Sequence, residues 1–156
     1  MQAIGDYTDT DQVRAVAGLT DNEVDDATLI AMGLVTVVSV DLSTWLPTHG
    51  TIHAEGTAPA PTSEQVLRLD ALKIYATTLA ALTTLESSMH IPQQKGNGKD
   101  SAKRFTDKTL RDAIDALKAR QEKYRTLLTE MLTPVGSVSS GLFARATPTY
   151  DPVTNE

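Results

Sequence analysis

Apolar positions between Asp107 and Leu132 follow one rule: Leu110, Ile114, Leu117, Gln121, Tyr124, Leu128 and Met131 alternate in steps of four and three. That spacing is the signature of a helix packed along a single seam. Gln121 is the polar member of the series, placed either to fix register or to sit at the rim and bind water. A second segment of similar length, Glu64 to Met89, is also helical in pattern. Its expected buried face is Leu67, Ala71, Ile74, Tyr75, Thr78, Leu82 and Leu85, and Ala76, Ala80 and Ala81 allow a neighbour to approach closely. At 1.5 Å of rise per residue each helix is roughly 39 Å long. The two are matched arms of an antiparallel hairpin. Thr62 and Gln65 form a capping box at the start of the first arm, and Thr106 or Asp107 caps the second.

The pattern ahead of the hairpin is shorter-ranged. Thr10 is an N-cap for a helix over Asp11–Ala17, with Gly18 as its stop. The acidic run Asp21–Asp26 is the next start signal, where Asp25 caps a helix beginning near Asp26. Leu34, Val35, Val37, Val38 and Val40 read equally as a buried strand, but Leu34, Val38, Leu42 and Trp45 make one helical stripe too long for most strands. The stripe favours a helix with a kink at Gly33 and an end at Pro47. Residues 47–61, rich in Thr, Gly, His and Pro, read as a loop. So does His90–Arg104, with its Gly96, Asn97, Gly98 turn. Pro134 and Gly136 end the last helix, and Ser137–Gly141 is a flexible spacer. The expected organisation is an all-α small helical bundle over 1–132, built on a long antiparallel helical hairpin, and an extended C-terminal arm over 133–156.

Composition narrows the picture in three ways. With 156 residues, 40% of them hydrophobic and only 4% aromatic, the chain suits one core of aliphatic side chains packed helix on helix. Cysteine is absent, which leaves no disulfide framework and no thiolate metal site. The N-terminus lacks the basic flank and apolar stretch of a signal peptide, and Leu29–Leu46 is too short and polar to span a bilayer, so no membrane association is expected. The net charge of -6 is unevenly distributed. Before Pro61, Asp6, Asp9, Asp11, Asp21, Glu23, Asp25, Asp26, Asp41 and Glu55 face only Arg14. Lysines and arginines outnumber acids from Lys95 to Arg125. Copies arranged in a ring could present these as complementary faces, although ordinary solvated helix surfaces account for most of them equally well.

Little chemistry stands out. His49 and His53 are four residues apart, a metal-binding spacing only on a helix, and Pro47 and Gly50 favour a loop there. Asp21–Asp26 lacks the glycine and closing glutamate of a calcium loop. The Gly98, Lys99 pair lacks the rest of a phosphate loop, and no nucleophile, base and orienter set is visible. The expectation is a protein that is not an enzyme and carries no metal and no cofactor.

The stretch from Thr10 to Leu19, followed by Asp21–Asp26, Ala27, Thr28 and Leu29, resembles the start of the head-tail connector adaptor (head completion) proteins of long-tailed bacteriophages. The order of elements resembles that family through residues 8–132: a short helix, an acidic turn, a second helix, a long Leu- and Ala-rich helix over Leu67–Leu85, then a final long helix and a trailing arm. The resemblance implies a structural virion protein at the head–tail interface, present in host cytoplasm during assembly. It would form a homo-oligomeric ring of twelve beneath the portal protein, extend the DNA channel and receive the next connector or tail protein.

On that reading Asp21, Glu23, Asp25 and Asp26 are candidate channel-lining acids, which would let double-stranded DNA pass without holding it. Leu142, Phe143, Tyr150 and Val153 in the arm are candidate contacts to portal or neighbouring subunits, because a folded monomer leaves them no partner, with a frayed chain end as the alternative. Lys95, Lys99, Lys103 and Arg104 form a basic loop that contacts an acidic partner, passes near DNA or is simply solvated. Two competing functions remain: a small helical DNA-binding protein, or a coiled-coil tail-assembly factor that uses the last helix as its zipper.

Overall fold

A computed structural model describes residues 2–87 and 107–133. Six helices and one two-stranded hairpin make up the described residues, so the all-α expectation holds. The hairpin pairs β1 (Ala3–Ile4) with β2 (Thr8–Asp9) antiparallel, Ala3 opposite Asp9 and Ile4 opposite Thr8. It turns at Gly5, whose φ of 67° a side chain would resist. The chain runs directly from β2 into α1 (Thr10–Ala17).

The cap of α1 is Asp9 rather than the expected Thr10. Asp9 is extended and its carboxylate accepts from the Gln12 amide at 2.8 Å. The Thr10 hydroxyl is committed instead to the Gln2 amide at 2.9 Å, tying the hairpin to the helix. Gly18, at φ 70°, ends α1 as expected. Asp25 caps α2 (Asp26–Ala31) through the Thr28 amide at 2.7 Å. Gly33 does more than kink the chain: left-handed at φ 67°, it separates α2 from α3 (Leu34–Trp45). The helical reading of the valine run holds, with Leu34, Val38 and Leu42 all buried along one stripe.

The loop expected over 47–61 is in part a helix, α4 (His49–Gly56). Its sequence pattern is weak because one buried side chain, Ile52, and one glycine hold it. Gly56 sits so close to the next helix that a Cβ there would lie 2.6 Å from Leu69 Cβ. Tertiary packing, not intrinsic propensity, stabilises a helix this short.

α5 (Ser63–Glu86) opens on the expected capping box: Thr62 Oγ1 accepts from the Gln65 amide at 3.2 Å, and Gln65 Oε1 accepts from the Thr62 amide at 2.8 Å. Leu67, expected on the buried face, is 54% exposed. It lies two residues from buried Leu69 and so on the far side of the helix, where no other described element packs. From Leu69 onward the burial is nearly all round, covering Ala71, Leu72, Tyr75 to Leu82, Thr84 and Leu85. Threonines are tolerated there because Thr77, Thr78, Thr83 and Thr84 each place Oγ1 2.7–2.9 Å from the carbonyl four residues back.

α6 (Asp107–Leu132) lies antiparallel along α5, as the pairs Arg68 with Met131 and Tyr75 with Gln121 show. Its seam is the expected one: Leu117 and Leu128 are buried, and Leu110, Ile114, Gln121, Tyr124 and Met131 are half-buried between them. A zipper between chains would therefore need another face of α6. The arm over 134–156 and the second long loop lie outside the described residues.

The two glycines of α4 give opposite expectations. Gly50→Ala meets nothing within 4 Å and adds helix propensity, so it should stabilise by up to about 1 kcal/mol. Gly56→Ala forces the α4–α5 contact apart and should cost about 1–3 kcal/mol. Urea unfolding of the two variants beside the parent measures both. Equal midpoints would mean that α4 does not dock as described.

Candidate functional site

The N-terminal acids are organised by a single base. Arg14 is 5% exposed, and its guanidinium reaches Asp11 at 2.5 Å, Asp21 at 2.6 Å and Asp26 at 2.7 Å. It also donates to the Val24 carbonyl at 3.3 Å. Burial alone would lower the Arg14 pKa, but the hydrogen bonds it donates to Asp26 and Asp11 outweigh it and raise the pKa. Arg14 in turn holds the Asp26 carboxyl at about 2, helped by the Thr10 hydroxyl. One positive charge against three carboxylates leaves this surface acidic, with Asp21 79% and Asp11 54% exposed.

Each candidate channel acid thus has an internal task. Asp21 and Asp26 bind Arg14, Asp25 caps α2, and its carboxyl is lowered by the Thr28 hydroxyl and amide. Glu23 is buried and accepts from the Thr20 amide and hydroxyl, both at 2.8 Å. Of the four, Asp21 and Asp25 are exposed. The remaining candidates, Leu142, Phe143, Tyr150 and Val153 and the basic set Lys95, Lys99, Lys103 and Arg104, lie outside the described residues.

Sequence reasoning missed two clusters. In the first, His49 and His53 do share a helix after all, one turn apart on α4, and both pack edge-on against Tyr7 at 5.7 and 5.5 Å between ring centroids. His49 Nδ1 lies 2.5 Å from the Tyr7 hydroxyl, and Nε2 stands 3.5 Å from Ser43 Oγ, at the outer limit of a hydrogen bond. Burial, with Asp6 adding to it, raises the Tyr7 pKa. No three His, Cys, Asp or Glu side chains among the described residues are grouped to hold a metal ion.

The second cluster joins three helices. Asp41 Oδ2 on α3 accepts from Trp45 Nε1 at 3.0 Å and from the Tyr75 hydroxyl of α5 at 2.7 Å, and Gln121 Nε2 of α6 donates to that hydroxyl at 3.2 Å. Burial, then the bond to Asp41, pushes the Tyr75 phenol up to about 12. Trp45 and Tyr75 meet edge-on at 5.0 Å, and the Arg125 guanidinium lies 5.2 Å above the indole ring. Above this floor runs an open, mainly apolar groove of about 540 Å³ between α3 and α6, lined by Val37, Val40, Thr44, Trp45 and Arg125. The visible signal was Gln121, a polar residue in an apolar seam.

No described helix is long and apolar enough to cross a membrane. No protein-family model, curated protein or solved structure matches the chain.

The Arg14 cluster predicts a pH dependence. Because the folded Asp26 carboxyl is depressed from 3.8 to about 2, its contribution to stability is complete above pH 4 and is lost as pH falls through about 2. Asp26→Asn should melt below the parent by a constant margin from pH 5 to 8, and the margin should close as pH drops from 4 to 2. A margin unchanged across that acid range would contradict the assignment.

Proposed function

We propose that this chain is a ring-forming adaptor subunit that joins a phage portal to the next connector or tail protein and extends the DNA channel. The observation that carries this reading is the order and proportion of the elements: a short helix, an acidic turn, three further helices, a long central helix and a final long helix along it. The resemblance to head-tail connector adaptors implies the same order, with one helix where this chain has α2, α3 and α4. The acidic N-terminal lobe supports it as well. Its carboxylates are fixed by capping and by Arg14, so a lumen lined by that lobe would repel phosphates from rigid positions.

The exposed side of α6 bears less well on a DNA-binding role. Lys108, Arg111, Lys118, Arg120, Lys123 and Arg125 are interleaved there with Asp112, Asp115, Glu122 and Glu130, all exposed. Such alternation lowers the field along the helix and with it the counterion-release term that drives nucleic-acid binding. On the adaptor reading, affinity for the portal resides in the C-terminal arm, with Leu142, Phe143, Tyr150 and Val153 as its anchors.

Deleting residues 138–156 should leave far-UV helicity of the bundle intact and weaken binding to an immobilised portal ring by at least about tenfold, or 1.4 kcal/mol. Equal affinity of the deleted and complete chains would refute this role for the arm.

A further inference from the structure

The α3/α6 groove needs an occupant. Val40 on its wall is 60% exposed, Val37 and Trp45 are half-buried, and the lining is mainly apolar. Its floor is built from polar groups engaged with one another. The Trp45 indole N–H is given to Asp41, which also holds Tyr75, and the Arg125 guanidinium is stacked on the indole face. The surface that remains open is chiefly apolar.

We propose that, in the free subunit, the groove receives this chain's own C-terminal segment, with Leu142 and Phe143 as the side chains that cover Val37, Val40 and Trp45. Three observations select that occupant. First, the described chain stops at Thr133, eight residues beyond Arg125 on α6, so the tether point is about 12 Å along the helix from the groove. Second, nine residues separate Thr133 from Phe143, including Gly136, Ser137, Ser139, Ser140 and Gly141. For a Gly/Ser-rich sequence of that length the root-mean-square span expected from composition is about 17 Å. Span and distance are matched, the condition in which a tether gives its highest effective concentration, in the millimolar range. Third, the sequence from Thr133 to Gly141 holds few apolar side chains, and Leu142 and Phe143 are the first adjacent apolar pair it meets.

The docked segment gives the arm a cover that the sequence-based expectation of a partnerless tail did not foresee. It keeps two greasy side chains out of water until a stronger partner displaces them. The inference concerns the free subunit and does not rest on the ring reading.

Trp45 is the only tryptophan in the chain and lies in the groove, so it reports occupancy directly. In the full-length chain, Leu142→Asp with Phe143→Asp should red-shift Trp45 emission and increase its quenching by acrylamide. Both substitutions lie outside the bundle, so its circular dichroism should be unchanged. Val40→Asp, on the opposite side of the contact, should produce the same increase in quenching. A synthetic peptide spanning 134–156, added at millimolar concentration to the doubly substituted chain, should reverse the shift saturably. The emission of the parent should not change with protein concentration. Identical quenching of the parent and the doubly substituted chain would overturn the proposal. So would a parent signal that appears only as concentration rises together with dimer in sedimentation, since the occupant would then be another copy's tail.

Discussion

The burial of α5 on nearly every side from Ala71 to Leu85 is the constraint on which the rest of the structure depends. Helices of six to twelve residues are not stable alone in water, and α1 to α4 are all of that length. α1, α3, α4 and α6 each pack on α5, so their stability is borrowed from the same apolar column. A helix in this position cannot be strongly amphipathic. It needs small residues where neighbours approach, which Ala76, Ala80 and Ala81 supply, and any hydroxyl must be satisfied within the helix, which the threonines achieve by bonding one turn back. Gly56 shows how close the approach is: α4 can dock only because that residue has no side chain.

The Asp41, Trp45, Tyr75 and Gln121 network adds specificity to this column. Apolar packing alone would allow α6 to slide along α5 by a turn at modest cost, whereas a slide would leave the Tyr75 hydroxyl, which donates to Asp41, without its Gln121 partner. Hydrogen bonds to a charged, partly buried group are worth on the order of 1.5–3 kcal/mol, so one network can fix the register of three helices. The same residues form a rigid floor for the groove above them.

Much of this was legible in the residues. The α6 seam, the capping box at Thr62 and Gln65, the Asp25 cap and the helical stripe Leu34, Val38, Leu42 were readable because each rests on local spacing or local hydrogen bonding. What could not be read depended on partners distant in sequence. α4 has one buried apolar side chain and its glycine matters only for what Leu69 does. Leu67 fits the period of α5 but faces outward because no described element packs there. Asp9 outcompeted Thr10 as a cap because Gln2 had claimed the Thr10 hydroxyl. Arg14 was conspicuous as the lone base among nine acids, yet its role as their hub emerged only once Asp11, Asp21 and Asp26 were in place around it.

Function follows a similar division. The described bundle packs one apolar core, and what distinguishes it lies on its surface: an acidic lobe locked by Arg14 and an apolar groove over Trp45. The adaptor reading joins these into one account, in which a folded subunit gains its activity only as part of a collar. Native mass spectrometry of the full-length chain mixed with a candidate portal ring tests that account most directly. The account predicts a portal carrying a complete ring of twelve copies, whereas a portal that stays bare beside monomers or dimers of the chain would contradict it.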